Sequence, residues 1–358
     1  MNLAWRRWFG LTVILALTSL SLRAQLNGPS SGLINRSGIL YSHRNGKVYV
    51  VDPEHGGVAI ITTNGTAKPV HTGSGPVSIA VNELTGRVYV ANSGDRSVSV
   101  IDGSTDTVLA TASTAARPYA IAVDEVRDKI FVSNTFSEML TVMDGKTNAV
   151  SNVRAGSADA ILVDARNGKV YLLGYESDSV RVFDEQTSSL SKFPAGAMHL
   201  WGIAQLGSTL YVTHMQDASM EAINVGTHAT QTIATGAMPC ALAVDEDRNE
   251  LYVANYAGAS VSIIDARAGT TVATLNLGGH PQAIAVDTTK RLLYVADAQE
   301  NSVSLIDIHN RRVLEKLKLD GSPYALAVDS KTHRAFAATI GSTPYTELST
   351  PYTELKIH

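Results

Sequence analysis

Short apolar runs of four to six residues, each closed by Asp, Asn or Gly, follow one another along nearly the whole chain. Ala283-Ile284-Ala285-Val286-Asp287 and Leu251-Tyr252-Val253-Ala254-Asn255 are typical. Runs of Val, Ile, Ala and Tyr bounded in this way read as short strands. The 10–15-residue amphipathic segments that would separate parallel strands do not occur, which excludes an α/β chain.

The strands recur with a fixed period. An aromatic anchor falls at Tyr49, Tyr89, Phe131, Tyr171, Tyr211, Tyr252, Tyr294 and Phe336, at intervals of 40 to 42 residues. A proline stands thirteen residues before five of these anchors, at Pro76, Pro118, Pro239, Pro281 and Pro323. After the proline comes a nearly all-apolar strand, as expected of a strand buried on both faces, ending in Asp in four of the five repeats. The anchor strand follows. A third strand ends in Ile-Asp (Ile101-Asp102, Ile264-Asp265, Ile306-Asp307) and a fourth bears Thr and Val. Asn45-Gly46 and Asn167-Gly168 suit hairpin turns, because both residue types reach positive φ. Asp102, Asp265 and Asn92 are expected to bond back to their own backbone and shape turns. Four short antiparallel strands per ~40 residues make one blade of a β-propeller.

Tyr89-Val90-Ala91-Asn92, with Ser97-Val98-Ser99-Val100-Ile101-Asp102 and Pro118-Tyr119-Ala120-Ile121-Ala122-Val123-Asp124, resembles the YVTN-type (YncE-like) β-propeller repeat family. The resemblance covers roughly residues 36–340. It implies an all-β fold and an exported protein, without naming an activity. Eight first-and-second-strand hairpins are countable, so eight blades are expected. Seven is the alternative, with residues 47–65 completing the blade begun at Pro323. In the eight-blade reading, residues 341–358 add a third strand to the last blade or form a loose tail. Residues 26–35 then add its fourth strand, and the ring closes between the termini.

Composition changes the picture in three ways. Of 358 residues, 17% are charged and the net charge is −4, with no basic patch, so a nucleic-acid partner is not expected. The single cysteine excludes a disulfide framework within the chain and a multi-cysteine metal site. The N-terminus, with Arg6 and Arg7 before an apolar run from Phe9 to Leu22 and a small residue at Ala24, reads as a signal peptide over residues 1–24. The propeller domain is then 25–358, periplasmic or extracellular, monomeric and without a retained membrane span.

Candidate chemistry lies where the repeat departs from itself. Counting back from each anchor, the position after the proline slot reads Ser37, Val77, Tyr119, Asp159, His199, Cys240, Gln282 and Tyr324. A ring of such side chains at the channel mouth makes Tyr119, Asp159, His199, Cys240, Gln282 and Tyr324, with His214 beside them, the expected ligand contacts. Asp159, His199 and Cys240, from consecutive blades, have the residue types of a thiol nucleophile, base and orienting acid. The competing reading is a varied polar lining. The blade around His199 is the most irregular: Met198 stands in the proline slot, Trp201 for an Ile or Leu, and His214 for the Asn of other blades. Tyr175 and Tyr256 could supply aromatic walls on the same face. A metal held by His199 and His214 lacks a regularly spaced third ligand. The Asp series at 124, 164, 245, 287 and 329 has one identical offset per repeat, which marks turn closure. No nucleotide, zinc-protease or haem-attachment motif occurs, so no cofactor is expected.

These readings favour a non-enzymatic exported binding or interaction module, taking a small molecule, saccharide or protein at the channel mouth. A propeller-type hydrolase or lactonase and a cell-envelope structural component are the alternatives.

Overall fold

The computed structural model describes residues 38–135, 137–340 and 345–348. They form eight antiparallel sheets, each a meander in chain order. Seven sheets have four strands, and the eighth has three among the described residues. The blades span residues 39–71, 76–113, 117–154, 160–194, 200–234, 239–276, 281–318 and 322–348. The first strand of each blade lies beside the first strand of the next, and that of blade 8 lies against that of blade 1. The result is an eight-bladed β-propeller, the larger of the two expected blade numbers. Tyr345–Leu348 pairs with Arg334–Ile340 as the third strand of blade 8. The expected leader at 1–24, the expected fourth strand from 26–35 and most of the 341–358 segment lie outside the described residues.

The sequence pattern explains the ring. First strands such as Pro239–Asp245 and Pro281–Asp287 are buried at every position, while fourth strands such as Thr107–Ser113 are largely exposed. Each hydrophobic cluster draws from neighbouring blades. Val48, Val50 and Ile61 of blade 1, for example, pack with Ala325, Ala327 and Phe336 of blade 8. All eight aromatic anchors are buried. Each such ring removed from water contributes on the order of 2–3 kcal/mol.

The two ends of the blades carry different polar devices. At one end, the Asp that closes the first strand in five blades accepts a backbone N–H inside the hairpin turn. Asp124 accepts from Arg127 at 2.8 Å and Asp287 from Lys290 at 2.9 Å. Asp102 and Asp265 do the same in the turn after the third strand, from Ser104 at 2.8 Å and Arg267 at 2.9 Å. At the other end Asn92 departs from its expected turn role. It is buried at the end of a second strand, and its amide donates across the sheet to Ser97 Oγ (3.2 Å) and Ser99 Oγ (2.9 Å). Asn255 repeats that pattern with Ser260 and Ser262.

Candidate functional site: an aromatic arc at the channel mouth

The residue after the proline slot is set by a β-bulge. Pro lacks an N–H and stands at or next to the strand start, and the ladder slips by one residue directly after it. The slip lies between Pro76 and Ser78, Pro239 and Ala241, Pro281 and Ala283, and Pro323 and Ala325. A bulge leaves one residue out of register and re-aims its side chain. In three blades that side chain turns to the next blade. Cys240 Sγ donates to the carbonyl of Pro281 at 3.4 Å, Gln282 Nε2 to that of Pro323 at 3.0 Å, and the Tyr324 hydroxyl to that of Val51 at 2.9 Å. All three are buried. Tyr119 and Asp159, in blades 3 and 4, are half-buried. The expected six-residue concavity is thus narrowed to one sector, while the other sector is a blade-to-blade clasp.

Blade 5 corrects the register of the ring. Its first hairpin turns through two residues, Gly207 and Ser208, between paired Leu206 and Thr209. Its neighbour spends four residues between Asp245 and Glu250. Counting back from the anchor therefore overshoots by two. Leu200, paired with His214, occupies the proline slot, as Pro239 does opposite Asn255. Trp201, not His199, is the ring residue of this blade. His199 lies one step outside the strand at φ 61°, and its carbonyl accepts from Met215 N at 3.0 Å. Met238 has the same place in the next blade, at φ 54° and with Tyr256 N at 2.9 Å.

Around Trp201 the aromatic groups converge. The Tyr175 ring lies 4.9 Å from the His199 ring and 5.7 Å, edge to face, from Trp201. The Tyr175 hydroxyl accepts from Gln216 Nε2 at 3.1 Å, and its backbone N–H donates to Asp159 Oδ2 at 2.8 Å. Asp159 and His199 are therefore linked, through Tyr175. Two blades further on the pair repeats: Tyr256 stacks on His280 at 4.7 Å, with 22° between the planes. Both pairs are separated by 24 residues, and the second lies 81 residues after the first. Trp201 and Tyr256 both pack on the cluster that contains Cys240, which makes the arc continuous. Tyr175, His199, Trp201, Tyr256 and His280 are all half-buried. Burial also pushes the Tyr175 phenol up, so it is neutral at physiological pH.

The cysteine–histidine–aspartate arrangement is not assembled. Cys240 is 4% exposed, and its Sγ donates to the carbonyls of Ala254 and Pro281, each at 3.4 Å. Burial pushes the thiol up to about 12, which removes the thiolate that nucleophilic chemistry needs. His214 is likewise buried. Its Nε2 donates to the Ala195 carbonyl at 2.8 Å, leaving Nδ1 to accept from Ser219 Oγ at 3.3 Å. Burial lowers its pKa and keeps it neutral. This is the cross-strand role of Asn92 and Asn255 carried out by an imidazole. Among the described residues no group of three or more His, Cys, Asp or Glu side chains is placed to hold a metal.

No family model matches the chain, and no curated protein is similar to it in sequence. Solved structures do share its fold. The dihydro-heme d1 dehydrogenase NirN, in complex with DHE, is 14% identical over 81% of this chain and 67% of its own, with a TM-score of 0.66. A functionally unknown protein from Desulfotomaculum acetoxidans is 14% identical over 75% of this chain and 94% of its own, at 0.63. Hydrazine synthase of Kuenenia stuttgartiensis is 14% identical over 87% and 95%, at 0.59. At such identity the likeness is one of fold, and function has to be read from the site.

Proposed function

We propose that this propeller is an exported binding module whose ligand seats on the arc from Tyr175 and Trp201 to Tyr256 and His280. One observation carries the reading: five half-buried rings, those of Tyr175, His199, Trp201, Tyr256 and His280, lie on one face of the ring, in contact as two stations two blades apart. Concave surfaces with aromatic walls and a few placed polar groups are the usual ligand sites. Asp159, Gln216 and His199 supply the polar groups. Export rests on the leader at residues 1–24 and on the resemblance to YVTN-type repeats. NirN, which shares this fold, is known in complex with DHE, which is compatible with ligand binding and names no ligand here.

The test is a titration of immobilised oligosaccharides, peptides of either charge and flat aromatic compounds against the protein and its Tyr175→Ala, Trp201→Ala double variant. At least one class should bind the parent and weaken tenfold or more in the variant, with the melting temperature nearly unchanged. Binding that survives in the variant would move the site elsewhere.

A further inference from the structure

The two faces of the ring differ in charge. Antiparallel strands send alternate loops to opposite ends of the blades. The loops on the arc's face join second to third strands and one blade to the next. Among the described residues they carry nine carboxylates and one arginine, Arg96. The loops of the opposite face carry ten lysines and arginines and seven carboxylates; the aspartates that end the first and third strands there are engaged in turn hydrogen bonds, and Asp124 and Asp245 also in ion pairs with Arg127 and Arg248. Glu138 and Glu300 are met by Arg154 and by Lys316 and Lys318 from strand ends. Around Tyr175 and Trp201, blades 4 and 5 bring Asp159, Glu176, Asp178 and Asp217. The Arg181 guanidinium already reaches this edge and donates to the Ser157 carbonyl, with Asp159 and Glu138 acting on its charge.

We infer that the occupant of this face is a polypeptide segment bearing Lys or Arg side chains. The inference rests on the arc being the binding site. Carboxylates and the negative faces of Tyr and Trp rings attract the same partner, a cation, and a face of one sign steers the opposite charge onto it. Length favours a chain over a small cation. The Tyr175–His199 and Tyr256–His280 stations are two blades apart, up to roughly 20 Å at ~10 Å per packed sheet. An extended peptide covers that distance in about six residues.

Fluorescein-labelled octapeptides, otherwise Gly and Ser, with Lys or Arg at positions 2 and 7, provide the probe. Anisotropy titrations should give binding that weakens with added salt and falls at least tenfold when one cation is replaced by Gln. A similar loss is expected for Glu176→Gln, Asp217→Asn in the protein, and none for a control pair on the opposite face, Lys331→Gln, Arg311→Gln. Equal binding of the matching Glu peptide, no binding of the Lys and Arg peptides, or indifference to the carboxamide variant overturns the inference. If a neutral ligand binds and is lost in the Tyr175→Ala, Trp201→Ala variant while the cationic peptides stay unbound, the site stands and only the partner is wrong. If cationic peptides bind parent and aromatic variant alike, the site itself is wrong.

Discussion

The hydroxyl of Tyr324 donates to the carbonyl of Val51 at 2.9 Å, joining residues 273 positions apart in the chain. The ring of Tyr324 lies over Gly38, where a side-chain methyl would overlap it. The Gly38 carbonyl in turn accepts from Val51 N at 2.8 Å. First and last blades are thus latched by one phenol, one glycine and one carbonyl.

Loosening that latch should cost stability in a graded way. Tyr324→Phe removes one buried hydrogen bond, about 1 kcal/mol. Tyr324→Ala leaves a cavity and should cost about 3–5 kcal/mol. Gly38→Ala should destabilise as well, because the ring has to move. Denaturant unfolding of the three variants checks the order; equal stability for Tyr324→Ala and the parent would show that blades 8 and 1 are not held here.

Cys240 should be inert in the folded protein. With its thiol buried and its pKa pushed up to about 12, Ellman's reagent at pH 8 should find no reactive thiol until denaturant is added, and one thereafter. Cys240→Ser should leave ligand binding intact. Rapid labelling of the native protein would contradict the packing role.

His214→Asn restores the residue of neighbouring blades and should change stability by no more than about 1 kcal/mol. His214→Leu leaves the Ala195 carbonyl and Ser219 hydroxyl without their partner and should cost about 1–3 kcal/mol. Thermal melts distinguish the two.

Glu185 sets a pH dependence. It is 5% exposed, neither oxygen accepts a hydrogen bond, and Lys129 Nζ is 4.0 Å away. Burial, with the Asp124 carboxylate facing it, pushes its carboxyl from 4.5 up to about 8. A group with a raised folded-state pKa holds its proton more tightly in the native state. Its contribution is complete below 4.5 and is lost as pH rises toward about 8. Glu185→Gln should therefore match the parent near pH 4 and melt several degrees higher at pH 9. Parallel melting curves across that range would contradict the assignment.

The fold was legible because the features that make a blade are local: a proline, an apolar run, an Asp turn and an aromatic anchor at fixed offsets. Tyr49 through Phe336 mark eight blades without reference to any contact. The site was legible only in part. Tyr175 and Tyr256 stood out as aromatic walls, and blade 5 as the irregular sector. Trp201 was displaced from the ring by counting from Tyr211, since that count assumes a turn of constant length. The signal was present in Gln205-Leu206-Gly207-Ser208, which lacks the Asp and the extra residues of a four-residue turn. The burial of Cys240, Gln282 and Tyr324 was not legible, because a bulge decides whether a side chain meets the channel or the next blade. Nothing local to Asn92 distinguishes a turn-former from a cross-strand donor; its two serine partners lie on the next strand.

Where recognition occurs is decided most directly by a crystal structure of the protein with a ligand that binds it in solution. Ligand density is expected against the rings of Tyr175, His199 and Trp201, extending toward Tyr256 and His280 for an occupant of sufficient length. Density on the opposite face, beside Arg311 or Lys331, with these five rings bare, would contradict the account.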